Sequence, residues 1–176
     1  MELLAEVVPR ISRVGILWDT GTSFSALGFR EYETVARGLK IQLQSLEVRG
    51  PNPDWEGAFR AAAKGGSRAV ITITSSPLFR NSKRITDLAI KNRLPSMYEG
   101  QTWVEAGGLM SYSANDLELF RRAATYVHKI LKGAKPADLP IEQSTKFDFV
   151  VNLQTAKQIG LTISQSVLYR ADRVIK

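Results

Sequence analysis

The sequence predicts an α/β fold: a Rossmann-like parallel sheet with helices on both faces. Three observations carry that expectation. Between Arg13 and Gly100, short apolar runs alternate with helical patterns in the order β-α-β-α-β-α-β, which implies parallel strands joined by right-handed crossovers. The run "RAVITIT" (68–74) is β-branched and mostly apolar, as a strand covered on both faces must be. The helical patterns leave through glycine, at Gly38 and at "KGG" (64–66), where a helix commonly stops.

Each element has its own signal. "RVGILW" (13–18) is an apolar run ended by "DTGTS" (19–23), and the segment after it places Phe24, Leu27, Tyr32, Val35 and Ala36 near helical spacing. "IQLQSLEV" (41–48) alternates as a strand with one wet face does. "PNPDWEGAFRAAAKGG" has loop prolines, and Asp54 can cap its helix. "SSPLFRNSKRITDLAIKNR" opens on Ser-Ser-Pro, with Ile85, Leu88 and Ala89 as the inner stripe. "LPSMYEG" and "GGLMSYS" are short strands. In "NDLELFRRAATYVHKILKG", Leu119, Phe120, Ala123, Val127, Ile130 and Leu131 share one side of a long helix. A connector, "AKPADLP", leads to the strand "KFDFVVN" and two short helices over 153–159 and 164–173.

Composition narrows the chemistry. The 176 residues are one domain's worth, and 44% are hydrophobic, enough for an ordinary core. With no cysteine and one histidine, disulfides, thiol nucleophiles and Cys- or His-rich metal centres are excluded. The net charge of +7 comes from scattered Lys and Arg, the densest group lying between Arg80 and Arg93 and mixed with Asp87, which reads as a solvated helix face and not as a nucleic-acid surface. No stretch reaches the roughly 18 apolar residues of a membrane span. The first residues carry Glu2 and Glu6 and no basic start, so they do not form a secretory signal.

In an open α/β sheet, ligands bind at the carboxyl ends of the strands. Those ends are Asp19, Thr20, Gly21, Thr22 and Ser23; Thr74, Ser75 and Ser76; and Tyr98, Glu99 and Gly100, with Trp103 close behind as a stacking candidate. The first two precede helix N-termini, which favour an anion such as a carboxylate. Locally, Asp19, Ser23, Ser75 and Ser76 also suit helix capping; convergence of three polar ends on one edge favours a binding role. "DTGTS" lacks the lysine of a phosphate loop, no G-x-S-x-G elbow occurs, and the lone "DTG" has no second copy. Trp18 and Trp55 read as packing residues and His128 as a helix residue.

The segments "LEVRG" (46–50), "VEAGGLMSY" (104–112), "FRRAATYVHKILKGAKPADLPIEQSTKFDFVVNLQTAKQIGLTI" (120–163) and "RADRVI" (170–175) resemble the C-terminal portion of ABC transporter substrate-binding proteins with a type I periplasmic-binding-protein fold. The resemblance covers essentially the whole chain. It implies two α/β lobes joined by a three-stranded hinge, with a small ligand trapped between them and the closed form presented to a membrane permease. It implies no enzymatic activity and no cofactor, a periplasmic or other extracytoplasmic location, and ligands such as amino acids or aromatic and aliphatic carboxylates. Residues 1–107 correspond to the second lobe, 108–136 to a crossover strand and helix of the first lobe, and 137–176 to the return strand and closing helices. The family's first lobe has no counterpart in this sequence, so the chain is expected to be one lobe plus an orphaned strand-helix arm, with a homodimer formed through residues 108–132. The loops at 19–23, 74–76 and 98–100 match the family's second-lobe ligand loops. Asp19-Thr20 stands where Asn-Pro is common, and Ser164 where proline is common. The competing expectation is a cytoplasmic α/β enzyme or phosphate-binding regulatory domain built on Asp19 and the "GTS" turn, which would need a base or metal cluster of which only Asp19 and Glu99 could be part.

Overall fold

A computed structural model describes all of residues 1–176. The first half runs α1 (Glu2–Val7), β1 (Arg13–Asp19), α2 (Ser23–Gly38), β2 (Gln42–Val48), α3 (Trp55–Lys64), β3 (Ala69–Thr72), α4 (Ser76–Arg80) and α5 (Ser82–Lys91). The second half runs β4 (Ser96–Tyr98), α6 (Gln101–Glu105), β5 (Met110–Ala114), α7 (Asp116–Leu131), β6 (Phe147–Asn152), α8 (Leu153–Ile159), α9 (Gln165–Leu168) and β7 (Arg173–Ile175). One sheet holds all seven strands in the order β2-β1-β3-β4-β5-β6-β7. Its neighbours are parallel except β5 and β6. That single reversal follows from connectivity: the chain leaves along β5, turns through α7 and comes back along β6.

Alternation along the strands divides the core between two faces. Val14, Ile16, Ile71, Met97, Met110 and Val151 pack with residues of α1, α2, α8 and α9. Leu17, Leu46, Val70 and Tyr98 pack with Trp55 and Phe59 of α3, Ile85 and Leu88 of α5 and Trp103 of α6. Burying each large apolar side chain contributes about 1.5–3 kcal/mol. β1 and β3 lie inside the sheet and are covered on both faces, which is why their sequences read as continuous apolar runs.

Several elements depart from the sequence expectation. α1 was not anticipated; Leu4, Val7 and Val8 lie at i, i+3 and i+4 and are buried against the first face. The Ser-Ser-Pro helix is two helices, broken at Asn81, whose side-chain amide donates to the Pro77 carbonyl at 2.9 Å. α2 buries Ser25 and Ala36 and turns Phe29 and Tyr32 inward, so Phe24, Leu27 and Val35 are exposed instead of forming the inner stripe. The last expected helix is the short α9, and Arg173–Ile175 adds an edge strand beside β6. A three-residue strand is too short to display alternation.

β5 carries the largest difference. Met110 and Ser111 pair with Met97 and Tyr98 of β4 and are buried, so the strand expected to open the arm is also the fifth strand of this sheet. Beyond Ser111 it pairs with β6 alone. There Tyr112 stacks on Phe147, with ring centroids 5.4 Å apart and planes 1° apart. α7 follows, capped by Asn115, whose Oδ1 accepts from the Glu118 amide at 2.8 Å. α7 has no buried residue. It is held by its own returning segment: Arg122 donates to the Gln143 carbonyl and Thr145 Oγ1, both at 3.2 Å, and the Tyr126 hydroxyl donates to the Pro140 carbonyl at 2.6 Å. Leu117, Leu119, Phe120, Val127, Ile130 and Leu131 are exposed.

Candidate ligand site at the carboxyl edge of the sheet

The order β1-β3-β4 sets three strand ends side by side. At the end of β1, Asp19 is nearly buried and its Oδ1 accepts the Gly21 amide at 2.8 Å. A Cβ at Gly21 would come within 3.0 Å of that oxygen, so the tight turn suits glycine. Thr22 caps α2: its Oγ1 accepts the Ser25 amide at 3.2 Å and lies 2.7 Å from Ser25 Oγ. Capping therefore falls to Thr22, not to Asp19 or Ser23, and Ser23 is left exposed. The Asp19 carboxylate is engaged through Oδ1 by its own turn. The Thr20 amide donates to the Val48 carbonyl at 3.0 Å and ties this turn to β2.

Past β3, Ile73 still donates to the Leu17 carbonyl, at 2.9 Å, and Thr74 is the first residue free of the sheet. Its amide donates to Glu99 Oε2 at 3.0 Å, which laces the β3 end to the β4 end. Ser75 occupies the cap position of α4 without a side-chain cap bond. Ser75 Oγ is enclosed and has no protein partner, and the Thr74 hydroxyl faces the Glu99 carboxyl. Ser76 is exposed.

The end of β4 corrects two expected contacts. Tyr98 and Trp103 are 2% and 0% exposed and sit in the core beneath the edge, so neither ring is offered to a solute. Gly100, at φ +133°, makes the bend, and the short α6 beyond it carries Trp103 back under the sheet. Glu99 remains outside. Desolvation of its carboxyl at this corner raises its pKa above the ordinary carboxylate value, against the opposing pull of the Thr74 amide and hydroxyl. Burial, and then the Glu99 charge, push the Tyr32 hydroxyl upward too, which places α2 against the same corner.

Sequence reasoning missed two residues here. A cavity of about 500 Å³ is lined by Thr74, Ser75, Ser76, Phe79 and Arg80. Phe79 is half-exposed and meets Trp103 edge-on, with centroids 6.5 Å apart, so it is the aromatic surface that the edge presents. Arg80 had been grouped with a solvated helix face. The available signal was position: the first turn of a helix that starts at a strand end lies over that edge. The six enclosed side-chain polar atoms without a protein partner belong to Thr72, Thr74, Ser75, Tyr98, Trp103 and Ser111, all on β3, β4 and β5 or the segments that follow them. Buried polar groups are ordinarily paired; of these six, Thr72, Tyr98, Trp103 and Ser111 lie in the interior of the fold, and Thr74 and Ser75 lie at the carboxyl edge. His128 lies exposed on α7, away from it.

A doubly covered, mostly parallel sheet with hydroxyls and a carboxylate at its carboxyl edge defines an α/β lobe. The chain belongs to the ABC transporter substrate binding protein family, which it matches over residues 1–175. That family comprises non-catalytic solute receptors that work outside the cytoplasm. No protein of curated function matches the chain. Among solved structures, it is similar to a conserved domain protein from Vibrio cholerae, at TM-score 0.86 and 24% identity, over 98% of this chain and 58% of that one. It is also similar to an ABC domain from Streptococcus pneumonia in complex with L-Trp, at TM-score 0.83 and 23% identity, over 99% and 60% of the two chains. A ligand-free, open substrate-binding protein with adhesive properties from Clostridium difficile matches at TM-score 0.75 and 18% identity, over 99% and 58%. These likenesses establish the fold, with this chain spanning 58–60% of the length of those proteins. No helix is long and apolar enough to cross a membrane.

Proposed function

We propose that the chain supplies one lobe of a solute receptor for an ABC-type import system. It binds a small solute, such as an amino acid or an aromatic or aliphatic carboxylate, at the carboxyl edge of β1, β3 and β4, and presents it to the permease. The observation that carries this reading is the convergence of the polar ends of β1, β3 and β4 on one edge of the sheet, with Ser75 Oγ enclosed and unpartnered there. The streptococcal relative solved with L-Trp supports the ligand class. The edge residues of the proposed site are Asp19, Thr20, Ser23, Thr74, Ser75, Ser76, Glu99 and Gly100, together with Phe79 and Arg80.

The edge is an open shelf. Ligand pockets bury about 70–90% of a small ligand's surface, and a shelf covers one side only. The lobe alone should therefore bind in the millimolar range, with a second lobe supplying the remaining contacts. Calorimetry of the 176-residue chain with aromatic and branched amino acids and their carboxylate analogues tests this. Micromolar binding by the chain alone would contradict one-sided contact, and no heat with any of them at saturating concentration would overturn the receptor reading. We further propose that the uncovered face of α7 makes the isolated chain a homodimer through residues 108–132.

A further inference from the structure

We propose that the amino edge of the sheet, opposite the carboxyl edge, is an electrostatic docking surface for the anionic headgroups of a lipid bilayer. The choice of a bilayer rests on the receptor reading above, since a receptor that serves a membrane permease works beside one. The basic surface itself stands on separate observations.

Lys and Arg are scattered along the sequence, and the fold gathers them. The turn before β2 carries Arg37 and Lys40, and the turn into β1 carries Arg10 and Arg13. The turn before β3 carries Lys64 and Arg68, and the turn before β4 carries Lys91 and Arg93. The sheet order β2-β1-β3-β4 sets these four turns side by side, in a row about 15 Å wide at the usual strand spacing. No Asp or Glu lies in any of the four turns. None of these cations is in an ion pair. Of the carboxylates nearest in the chain, Glu6 and Asp87 are held by Arg170 and Lys83. Glu105, at the next turn along the sheet, is held by Arg173. Glu33 shares a cavity wall with Arg37 and offsets one charge of the row at most.

Helix dipoles account for part of the row, because Arg37, Lys64 and Lys91 sit in the last turns of α2, α3 and α5. They do not account for the rest. Arg10, Lys40 and Arg93 are the residues other than glycine with positive φ, at +53°, +56° and +52°. Lys40 and Arg93 each sit where a helix end is closed across the turn. The closing bonds run from the Ile41 amide to the Ala36 carbonyl and from the Leu94 amide to the Ala89 carbonyl, both at 2.9 Å. The same closure follows α3, α6, α7 and α8, where Gly66, Gly107, Gly133 and Gly160 take the positive-φ position. Glycine is the ordinary occupant there, because a side chain is strained. An exposed cation at that position in three of the four turns keeps a local cost, and retained strain points to a use for the residue.

The chemistry of the binding surface follows from what the row has and lacks. None of the exposed large apolar side chains lies in these turns, so the row lacks the stacking rings that hold single-stranded nucleic acid. It also presents no helix side or β-ribbon to enter a duplex groove. A bilayer with anionic lipids attracts clustered Lys and Arg without needing a shaped pocket. The carboxyl edge lies at the other end of the strands, so a lobe held by this row leaves its solute shelf free.

Vesicle sedimentation with the 176-residue chain tests this, using three parts phosphatidylcholine to one part phosphatidylglycerol, and phosphatidylcholine alone. The chain should bind the mixed vesicles at low salt, detach at high salt and ignore pure phosphatidylcholine. Arg10→Gly, Lys40→Gly and Arg93→Gly together remove three charges and relieve three strained positions, so this variant should fold at least as stably as wild type. Its affinity for the mixed vesicles should fall about a hundredfold, at about fivefold per basic residue held at the surface. Lys132→Gln, Lys135→Gln and Lys146→Gln together remove the same charge from exposed positions outside the row and should leave that affinity nearly unchanged. Equal losses in the two variants would reduce the binding to diffuse attraction by net charge and overturn the proposal. Binding to pure phosphatidylcholine, or to neither vesicle, would also overturn it. Tighter binding to duplex DNA than to the mixed vesicles, lost in the glycine variant, would assign the row to nucleic acid instead. None of these outcomes bears on the solute shelf, which calorimetry tests separately.

Discussion

Tyr98 and Trp103 stack nearly face to face, their ring centroids 4.8 Å apart and their planes 11° apart, inside the core beneath the carboxyl edge of the sheet. Position in the sequence pointed the other way, since Trp103 follows a strand end by only a few residues. The five-residue α6 turns it back under the sheet, where it packs on Tyr98 and meets Phe79 at its edge. The stack forms a rigid floor, and Phe79 is its solvent-facing extension.

Removing Trp103 should therefore cost stability before anything else. Trp103→Ala leaves a cavity among Tyr98, Phe79 and α6, and the expected loss is about 3–5 kcal/mol, typical for a large aromatic deleted from a core. Urea unfolding followed by circular dichroism measures it. A loss under 1 kcal/mol would show that the ring is not packed as described.

Gly108 is held by the same stack. A Cβ there would lie 2.6 Å from the Tyr98 ring and 2.8 Å from the Trp103 carbonyl oxygen. The second contact is backbone, so no rotamer change relieves it. Gly108→Ala should destabilise by about 1–3 kcal/mol, as overpacked cores do. The denaturation midpoint of this variant against wild type is the check, and an unchanged midpoint would mean that β4 and α6 have room to separate.

The strands and long helices of this fold were legible because their signals are local. "RAVITIT" reads as a buried strand because β3 is covered on both faces, and the stripe from Leu119 to Leu131 lies along one helix. What failed depended on packing between elements. Leu4, Val7 and Val8 are helical by spacing, but the segment is too short for that spacing to stand out. The exposed Phe24 and Leu27 show that α2 is rotated toward Ser25, Phe29 and Ala36, with Gly28 close against Ile73, where an added Cβ would come within 3.2 Å. The polar residues at the strand ends were legible as a set. The inward turn of Tyr98 and Trp103 and the outward exposure of Phe79 and Arg80 were not, because both follow from where two five-residue helices begin.

Asn152 joins the last strand to the closing helix. Its Oδ1 accepts the Thr155 amide at 3.0 Å, capping α8, and its Nδ2 donates to the Val104 carbonyl at 3.3 Å. Thr155 Oγ1 donates to the Gly107 carbonyl at 2.9 Å beside it. Asn152→Ala leaves a buried amide and a buried carbonyl without these partners, at an expected cost of about 1–3 kcal/mol. Thermal unfolding checks this, and Asn152→Asp should retain the cap bond while losing the bond to Val104.

Glu99 gives the lobe a pH dependence of definite sign. Desolvation raises its carboxyl above the ordinary carboxylate value, so the folded chain binds this proton more tightly than the unfolded chain does. Stability then falls as pH rises through the window from the unfolded value to the raised folded one, and the full penalty is present above it. Glu99→Gln has no charge to desolvate and its amide oxygen can still accept from Thr74. The variant should match or exceed wild-type thermal stability at pH 7, and its advantage should vanish below the ordinary carboxylate range. A Gln variant markedly less stable at pH 7 would mean that the Thr74 bond outweighs the desolvation.

The exposed stripe of α7 is an apolar face left uncovered by the chain. Phe120 is 74% exposed and Leu131 is 82% exposed, and Leu117 and Val127 lie on the same helix. The helix is anchored by Arg122 and Tyr126 to its own returning segment, so its apolar residues have no counterpart within the fold. Contiguous patches of this kind mark association surfaces, and a twofold pairing is the commonest closed solution. Light scattering at tens of micromolar should give twice the chain mass. Phe120→Glu with Leu131→Glu should return the monomer mass with unchanged thermal stability of the lobe, because neither side chain contributes to its core. A wild-type chain that scatters as a monomer would remove the dimer and leave α7 as a surface for a different partner.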